Sequence, residues 1–273
     1  MANITSASFG ADALPAEVVG QIINTALEGA PIFDSLTRRT TGRGSLVFPT
    51  GDPSGFDWIG ELGEIPAVDP GDDSAVVSVA KIAGQLLLSN ESVADADLNL
   101  TSEVGRLVRE SMAAKADTDL TYGTGPAPEP VGFLPGLTPV VNTTLRGAVI
   151  DACSEILAAG GTPSTVLLSP AQWAAEMRRR EETYTAGGAL FADLGIPLQV
   201  KVAHTLEADD GLVLDRSGCF GIVRNDYSIE SSTEGGTAWT HDGISLRIKA
   251  RLAVAIPAPD KHIRAVATIS SSG

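Results

Sequence analysis

The segment WIGELGEIPAVDPGDD, Trp58 to Asp73, lies between two runs, SLVFPT and SAVVSVAKIAGQLLLSNE, that have the β-branched and apolar character of strands. Between Asp52 and Asp73 the chain carries seven carboxylates and no cation, interrupted by Gly and Pro. Such a stretch cannot bury a core of its own. A two-stranded hairpin is marginal in water, and an insertion of this length without an apolar face of its own usually serves a function. The pattern predicts a long β-hairpin arm on which Trp58, Ile59, Glu61 and Glu64 are the residues to watch.

The rest of the chain bounds what the arm is attached to. With 273 residues, 43% of them hydrophobic, the chain has material for a substantial folded core. No apolar run reaches the ~18 residues of a membrane helix. The start, MANITSASFGADALP, has neither a basic beginning nor an apolar stretch, which sets the expectation of a cytoplasmic site of synthesis. A formal charge of −15 argues against a free-standing nucleic-acid reader, which would cluster Lys and Arg. Cys153 and Cys219 have no metal spacing and read as buried, reduced thiols.

Along the chain, Val18, Ile22, Ile23 and Leu27 fall at helical intervals within residues 15–36. Leu100, Val104, Leu107, Val108 and Met112 mark a second, longer stripe that continues through Ala116 to Leu120, with Asn99 or Thr101 as its cap. That helix stops where Gly123-Thr-Gly125 and PAPEPVGFLPG force the chain out of helical geometry. A helix over 143–159, the strand STVLLS, a helix after Ser169-Pro170 and the strands GIPLQVKVA, GLVLDR and CFGIVR make a mixed α/β portion. YSIESS, ISLRIKARLAVAIP and HIRAVATI close the chain in antiparallel style. The predicted class is α+β.

Chemistry is sparse. His204, His241 and His262 are scattered without metal-ligand companions and read as structural or solvent-exposed. No GxxxxGK(S/T), GxSxG or strand-following GxGxxG occurs. Asp69, Asp72 and Asp73 lack the ligand spacing of a calcium loop, and Glu61 with Glu64 lack the walled pocket of an acid/base pair. Arg178, Arg179 and Arg180, followed by Glu181 and Glu182, read as a solvated helix end. The expectation is a non-enzymatic protein with no catalytic residues, no metal and no cofactor.

The order of parts carries more than any single motif. WIGE at 58–61, Lys81-Ile82-Ala83, LLLSNESVADADLNL, the long helix, Asp117 with Gly123-Thr-Gly125 and PVGF, LLSPAQWAAEMRRRE before LGIPLQV, and ISLRIKARLAVAIPAP together resemble the major capsid protein of tailed bacteriophages, with its Hong Kong 97-type fold. The resemblance spans nearly the whole chain. It implies an N-terminal arm over 1–45, an extended loop over 46–80, a peripheral domain over 81–135 and 226–273 with a spine helix near 99–122, and an axial domain over 136–225. On this resemblance the chain assembles with itself as hexamers and pentamers into an icosahedral head shell around double-stranded DNA bound without sequence specificity. A portal, a separate scaffolding protein or none, and a decoration protein are the other implied partners. Assembly would occur in the host bacterial cytoplasm and the product would be the virion capsid, with no membrane contact. An encapsulin-like compartment that encloses proteins is the alternative within the same architecture. Some family members carry an additional N-terminal region that is cut away; maturation cleavage is not expected here.

Two expectations follow for surfaces. Some family members join a loop Lys to a neighbour's Asn, a reaction that needs an amine on the loop. No Lys or Arg occurs between Gly44 and Ala80. Particles boiled in denaturant are therefore expected to run as one band near 28.1 kDa, and a ladder of multiples would reject this. On ISLRIKARLAV a period of two sets Leu246, Ile248, Ala250 and Leu252 on one face and Arg247, Lys249 and Arg251 on the other. The basic face reads as a solvated strand face, a contact for an acidic arm, or a surface towards DNA.

Overall fold

The computed structural model describes residues 30–51, 56–67, 73–89, 98–125, 128–183, 190–191, 194–224, 228–232 and 242–268. The helix expected within 15–36 lies mostly outside them. Its described end is a turn and a short 3-10 segment, Phe33–Ser35, after Pro31.

Three sheets organise the chain. The first holds β1 (Thr37–Thr41), β4 (Ala80–Ser89), β9 (Phe220–Arg224), β10 (Ser228–Ser232) and the thirteen-residue β11 (Gly243–Ala255). β11 is the axis of this sheet: β4 runs antiparallel along one edge, while β10 and then β9 share the other. β1 adds in parallel to β9, pairing Thr37 with Phe220 and Thr41 with Arg224. The second sheet has the order β5-β12-β8-β6-β7, from Val140–Asn142, Ile263–Thr268, Gly211–Leu214, Thr165–Leu168 and Gln199–Val202. The third is the hairpin of β2 (Ser45–Pro49) and β3 (Ser74–Ser78). β1 and β5 were not foreseen in the sequence. β1 is polar and exposed along most of its length, and β5 is only three residues long.

Helices cover the sheets where the apolar pattern demands it. α1 (Leu98–Tyr122) spans 25 residues, about 37 Å of rod. It begins at Leu98, so the backbone of Asn99 and Thr101, expected to cap it, lies within its first turns, and the residue before it is outside the described residues. Its buried face is Ala113, Ala116, Asp117 and Leu120, packed with Ala250, Leu252 and Ile82 of the first sheet. Leu107, expected on the buried stripe, is exposed, because the packed contact belongs to the C-terminal turns. Gly123 ends the helix, where a Cβ would lie 2.3 Å from the Pro130 carbonyl oxygen.

α2 (Leu145–Ala158) is capped by Thr144, whose hydroxyl accepts from the Gly147 N–H. It buries Val149, Ala152 and Ile156 against Val166, Val213 and Val266 of the second sheet. α3 (Pro170–Thr183) starts with proline behind Ser169, which accepts from the Gln172 N–H. β6 and β8 are buried on both faces, which explains why TVLL and GLVL read as unbroken apolar runs. The short α4 (Pro259–His262) leads into β12.

The chain before β1 is fastened by a buried carboxylate. Asp117, on the packed face of α1, accepts from the backbone N–H groups of Ile32 and Phe33, each at 3.0 Å, and from the Thr205 hydroxyl at 3.3 Å. Ile32, Phe33 and Leu36 are thereby seated in the cores shared with α1 and the second sheet. Burial pushes the Asp117 carboxyl above the usual range, opposed by these hydrogen bonds. Nearby, the Tyr122 hydroxyl donates to Asp210 at 2.7 Å and accepts from the Glu207 N–H at 2.9 Å, a second tie from α1 to the 203–210 loop.

Candidate assembly interface

The base of the arm is built into the body. Leu46, Phe48, Val77 and Val79 pack on Phe220, Ile222, Ala253 and Ala255 of the first sheet. The Phe48 and Phe220 rings stack with centroids 5.5 Å apart, and the Arg39 guanidinium lies 4.1 Å from the Phe220 centroid. The Val79 N–H donates to Gly44 at one end and the Thr50 N–H to Asp73 at the other, both near 3.0 Å. This end of the hairpin is therefore held by a core.

Beyond Thr50 and Asp73 the chain has no such support. Every described residue of 56–67 is exposed. Trp58 and Leu62 are fully so, at 101% and 103%, with Phe56 at 77%, Ile65 at 82% and Ile59 at 41%. The tip bends at Gly60, whose carbonyl accepts from the Gly63 N–H at 2.9 Å, and Leu62 takes a left-handed φ of 70°. Five large apolar side chains on one short segment exceed the scattered exposure normal for a surface, and such patches mark sites of association. Glu61 and Glu64 flank the same turn and are exposed. Asp52, Asp69 and Asp72 lie outside the described residues.

The basic strand takes the alternation that its sequence predicts. Ile248, Ala250 and Leu252 are buried towards α1, whereas Arg247 is exposed and Lys249 and Arg251 are partly so. The side chain of Leu246 is outside the description. The structure gathers the arm residues on one surface and the three basic residues on another.

Among the described residues, His262 sits beside a carboxylate, its Nδ1 2.9 Å from Asp215 Oδ2. Burial alone would raise the Asp215 carboxyl, but donation from the Thr162 and Ser217 amides and from His262 outweighs it and the net direction is downward. Cys219 is close, yet its Sγ donates to the His262 carbonyl oxygen, 3.5 Å away, and not to the ring. Burial, with the nearby Asp215 charge, pushes this thiol up to about 12, and burial pushes Cys153 up to about 11. The arrangement knits β8 to α4 and makes no thiolate nucleophile. His204 is exposed and His241 lies outside the described residues. Among the described residues no cluster of His, Cys, Asp or Glu is composed to hold a metal. Of the triple-Arg segment, Arg179 pairs through both Nε and Nη2 with the buried Glu176 one turn earlier, and Arg178 is exposed.

A protein-family model described as the phage capsid family matches residues 10–261. The chain belongs to that family: it is a capsid shell protein, a structural component of the phage virion. Its α+β fold matches solved phage structures. A chain of Mycobacterium phage Adephagia superimposes with a TM-score of 0.67 at 19% identity, covering 90% of this chain and 92% of that one. A chain of Mycobacterium phage Cain gives 0.66 at 18% identity, covering 99% and 100%. A virus-like particle from Pyrococcus furiosus gives 0.58 at 10% identity, covering 92% and 97%. Comparison with functionally curated proteins gives no match.

Proposed function

We propose that the chain is the major capsid protein of a tailed bacteriophage and forms, as hexamers and pentamers, the icosahedral head shell that encloses double-stranded DNA. The observation that carries this reading is the fully exposed apolar arm on a member of the phage capsid family. An arm rooted in its own subunit but without a core at its tip finds that core on a neighbour, so Trp58, Ile59, Glu61 and Glu64 are intersubunit contacts. Repeated around a closed shell, modest contacts become decisive. On this reading residues 1–45 act as an N-terminal arm and 46–80 as the extended loop. Residues 81–135 and 226–273 serve as the peripheral domain, with α1 as its spine, and residues 136–225 as the axial domain. A portal, a scaffolding protein where one is used, and a decoration protein complete the set of partners, with assembly in the host cytoplasm.

The likeness to the Pyrococcus particle favours one second reading, an encapsulin-like compartment. Contents separate the two. Particles purified after nuclease treatment are expected to hold protected double-stranded DNA of uniform length. Particles that hold a partner protein and no genome would transfer the assignment to the compartment.

A further inference from the structure

α1 is longer than the core that holds it. Among the described residues, every α1 side chain in a core cluster lies between Met112 and Tyr122, and none comes from the ~21 Å of helix between Leu98 and Ser111. That stretch still has an apolar flank. Leu100, Leu107 and Ala114 recur at two-turn intervals, with Val104 and Val108 beside the row. At about 3.6 residues per turn, Leu107 and Ala114 lie roughly a third of a turn round from Ala113, on the side of Asp117. The first sheet buries Ala113 and leaves Leu107 52% exposed. Most of a helix's stability in a protein comes from packing of its apolar face, so a flank of this length calls for a partner.

We propose that residues 15–29 of the same chain form a helix that lies along this flank, so that the free subunit covers the N-terminal half of α1 with its own N-terminal segment. The proposal goes beyond the capsid-shell reading and does not depend on it. Three observations select this occupant. The first is where the described chain begins: Ala30 is fully buried in the cluster of Ala113 and Ala116, and the next N–H groups, of Ile32 and Phe33, donate to Asp117. The chain therefore enters against α1, on the side that leads to Leu107. The second is direction. Ile32 belongs to the second-sheet cluster with Leu167 and Ala203, whereas Ala30 belongs to the α1 cluster, so towards its N-terminus the chain moves from the second sheet to the middle of α1. The third is length and pattern. As a helix, residues 15–29 span ~22 Å, which matches the uncovered stretch. Val18, Ile22, Ile23 and Leu27 give them an apolar face, and Pro15 suits a first turn. Counting back at equal rise from Ala30, beside Ala113 and Ala116, Ile22 falls level with Leu107. Pairing α1 with α1 of a second copy would cover Leu107 but leave the face of Val18 and Ile22 without a partner.

Unassembled full-length subunits provide the test. Ile22→Cys combined with Leu107→Cys is expected to form, on oxidation at high dilution, a disulfide within one chain, seen as a faster band on non-reducing denaturing gels. The native Cys153 and Cys219 are buried and do not compete. Val18→Asp with Ile22→Asp is expected to speed amide exchange across residues 98–111 by roughly tenfold or more, while residues 113–120 keep their protection. Leu107→Asp is expected to speed exchange across residues 18–27 in turn, because a contact couples both of its sides. The cysteine pair decides alone should an Asp variant fail to fold. Disulfide-linked dimers in place of the internal bond would overturn the proposal in favour of a segment exchanged between copies. Absence of the internal disulfide, or unchanged exchange in folded Asp variants, would overturn it and leave the shell reading in place. Failure of the wild-type chain to form particles would strike the shell reading and leave this contact standing.

Discussion

Replacing Trp58 by alanine is expected to abolish shell assembly and leave the free subunit as stable as before. The indole is fully exposed in the single chain, so its removal from the subunit should cost within about ±0.5 kcal/mol, or ~1–2 °C in melting temperature. Seated on a neighbour, an indole buries about 150–250 Å². At ~25 cal/mol per Å² that is an upper limit of about 4–6 kcal/mol. Ordering the side chain and the arm takes back part of it, leaving about 2–4 kcal/mol per contact. A loss of that size weakens each contact about 30- to 1000-fold, and a closed shell repeats the loss at every subunit. Sedimentation of assembled material, beside melting of the subunit, separates the effects. A matching fall in subunit stability with assembly intact would mean that Trp58 packs within its own chain.

The opposite dissociation is expected at Asp117. Asp117→Ala removes the acceptor for two buried backbone N–H groups, of Ile32 and Phe33, and for the Thr205 hydroxyl. A buried donor left without a partner costs about 1–3 kcal/mol, so the variant should lose roughly 2–5 kcal/mol of subunit stability. For a chain of this size that lowers the melting temperature by about 5–15 °C. Asp117→Asn keeps one acceptor but turns an NH₂ group towards the other N–H, and should fall between wild type and alanine. Amide exchange should rise first in residues 30–41, which the carboxylate fastens to α1. A melting temperature unchanged in Asp117→Ala would show that this junction contributes little.

These two residues also show where reading the sequence succeeds and where it stops. Trp58 was legible because its surroundings are so poor in core-forming residues: a Gly- and Pro-broken acidic segment between strands leaves an aromatic nothing local to pack against. α1 was legible from apolar spacing and from Gly123 at its end, and the start of α3 from Ser169-Pro170; the Thr144 cap of α2 emerged only with the structure. Asp117 was visible only as part of a motif, although an acid aligned with Ala113, Ala116 and Leu120 is a signal for a buried acceptor. Its donors lie 84 and 85 residues away, and no local rule supplies them. The neighbours of the basic strand were hidden for a similar reason. Alternation within β11 revealed Arg247, Lys249 and Arg251, but Lys81 joins them only through strand register, a long-range property. The exposure of Leu107 shows the converse: a periodic stripe fixes which side of a helix is apolar, and the neighbouring sheet decides how far along it is covered.

The central claim is that this chain closes into a shell through an arm that has no core of its own. Electron microscopy of the purified protein under assembling conditions, carried to a resolution that traces the backbone, tests it most directly. The account predicts uniform isometric shells in which residues 56–67 of each copy lie against a neighbouring copy, with Trp58 removed from solvent. Monomers whose arm folds back onto their own first sheet, or shells whose arm tip projects free of every neighbour, would contradict it.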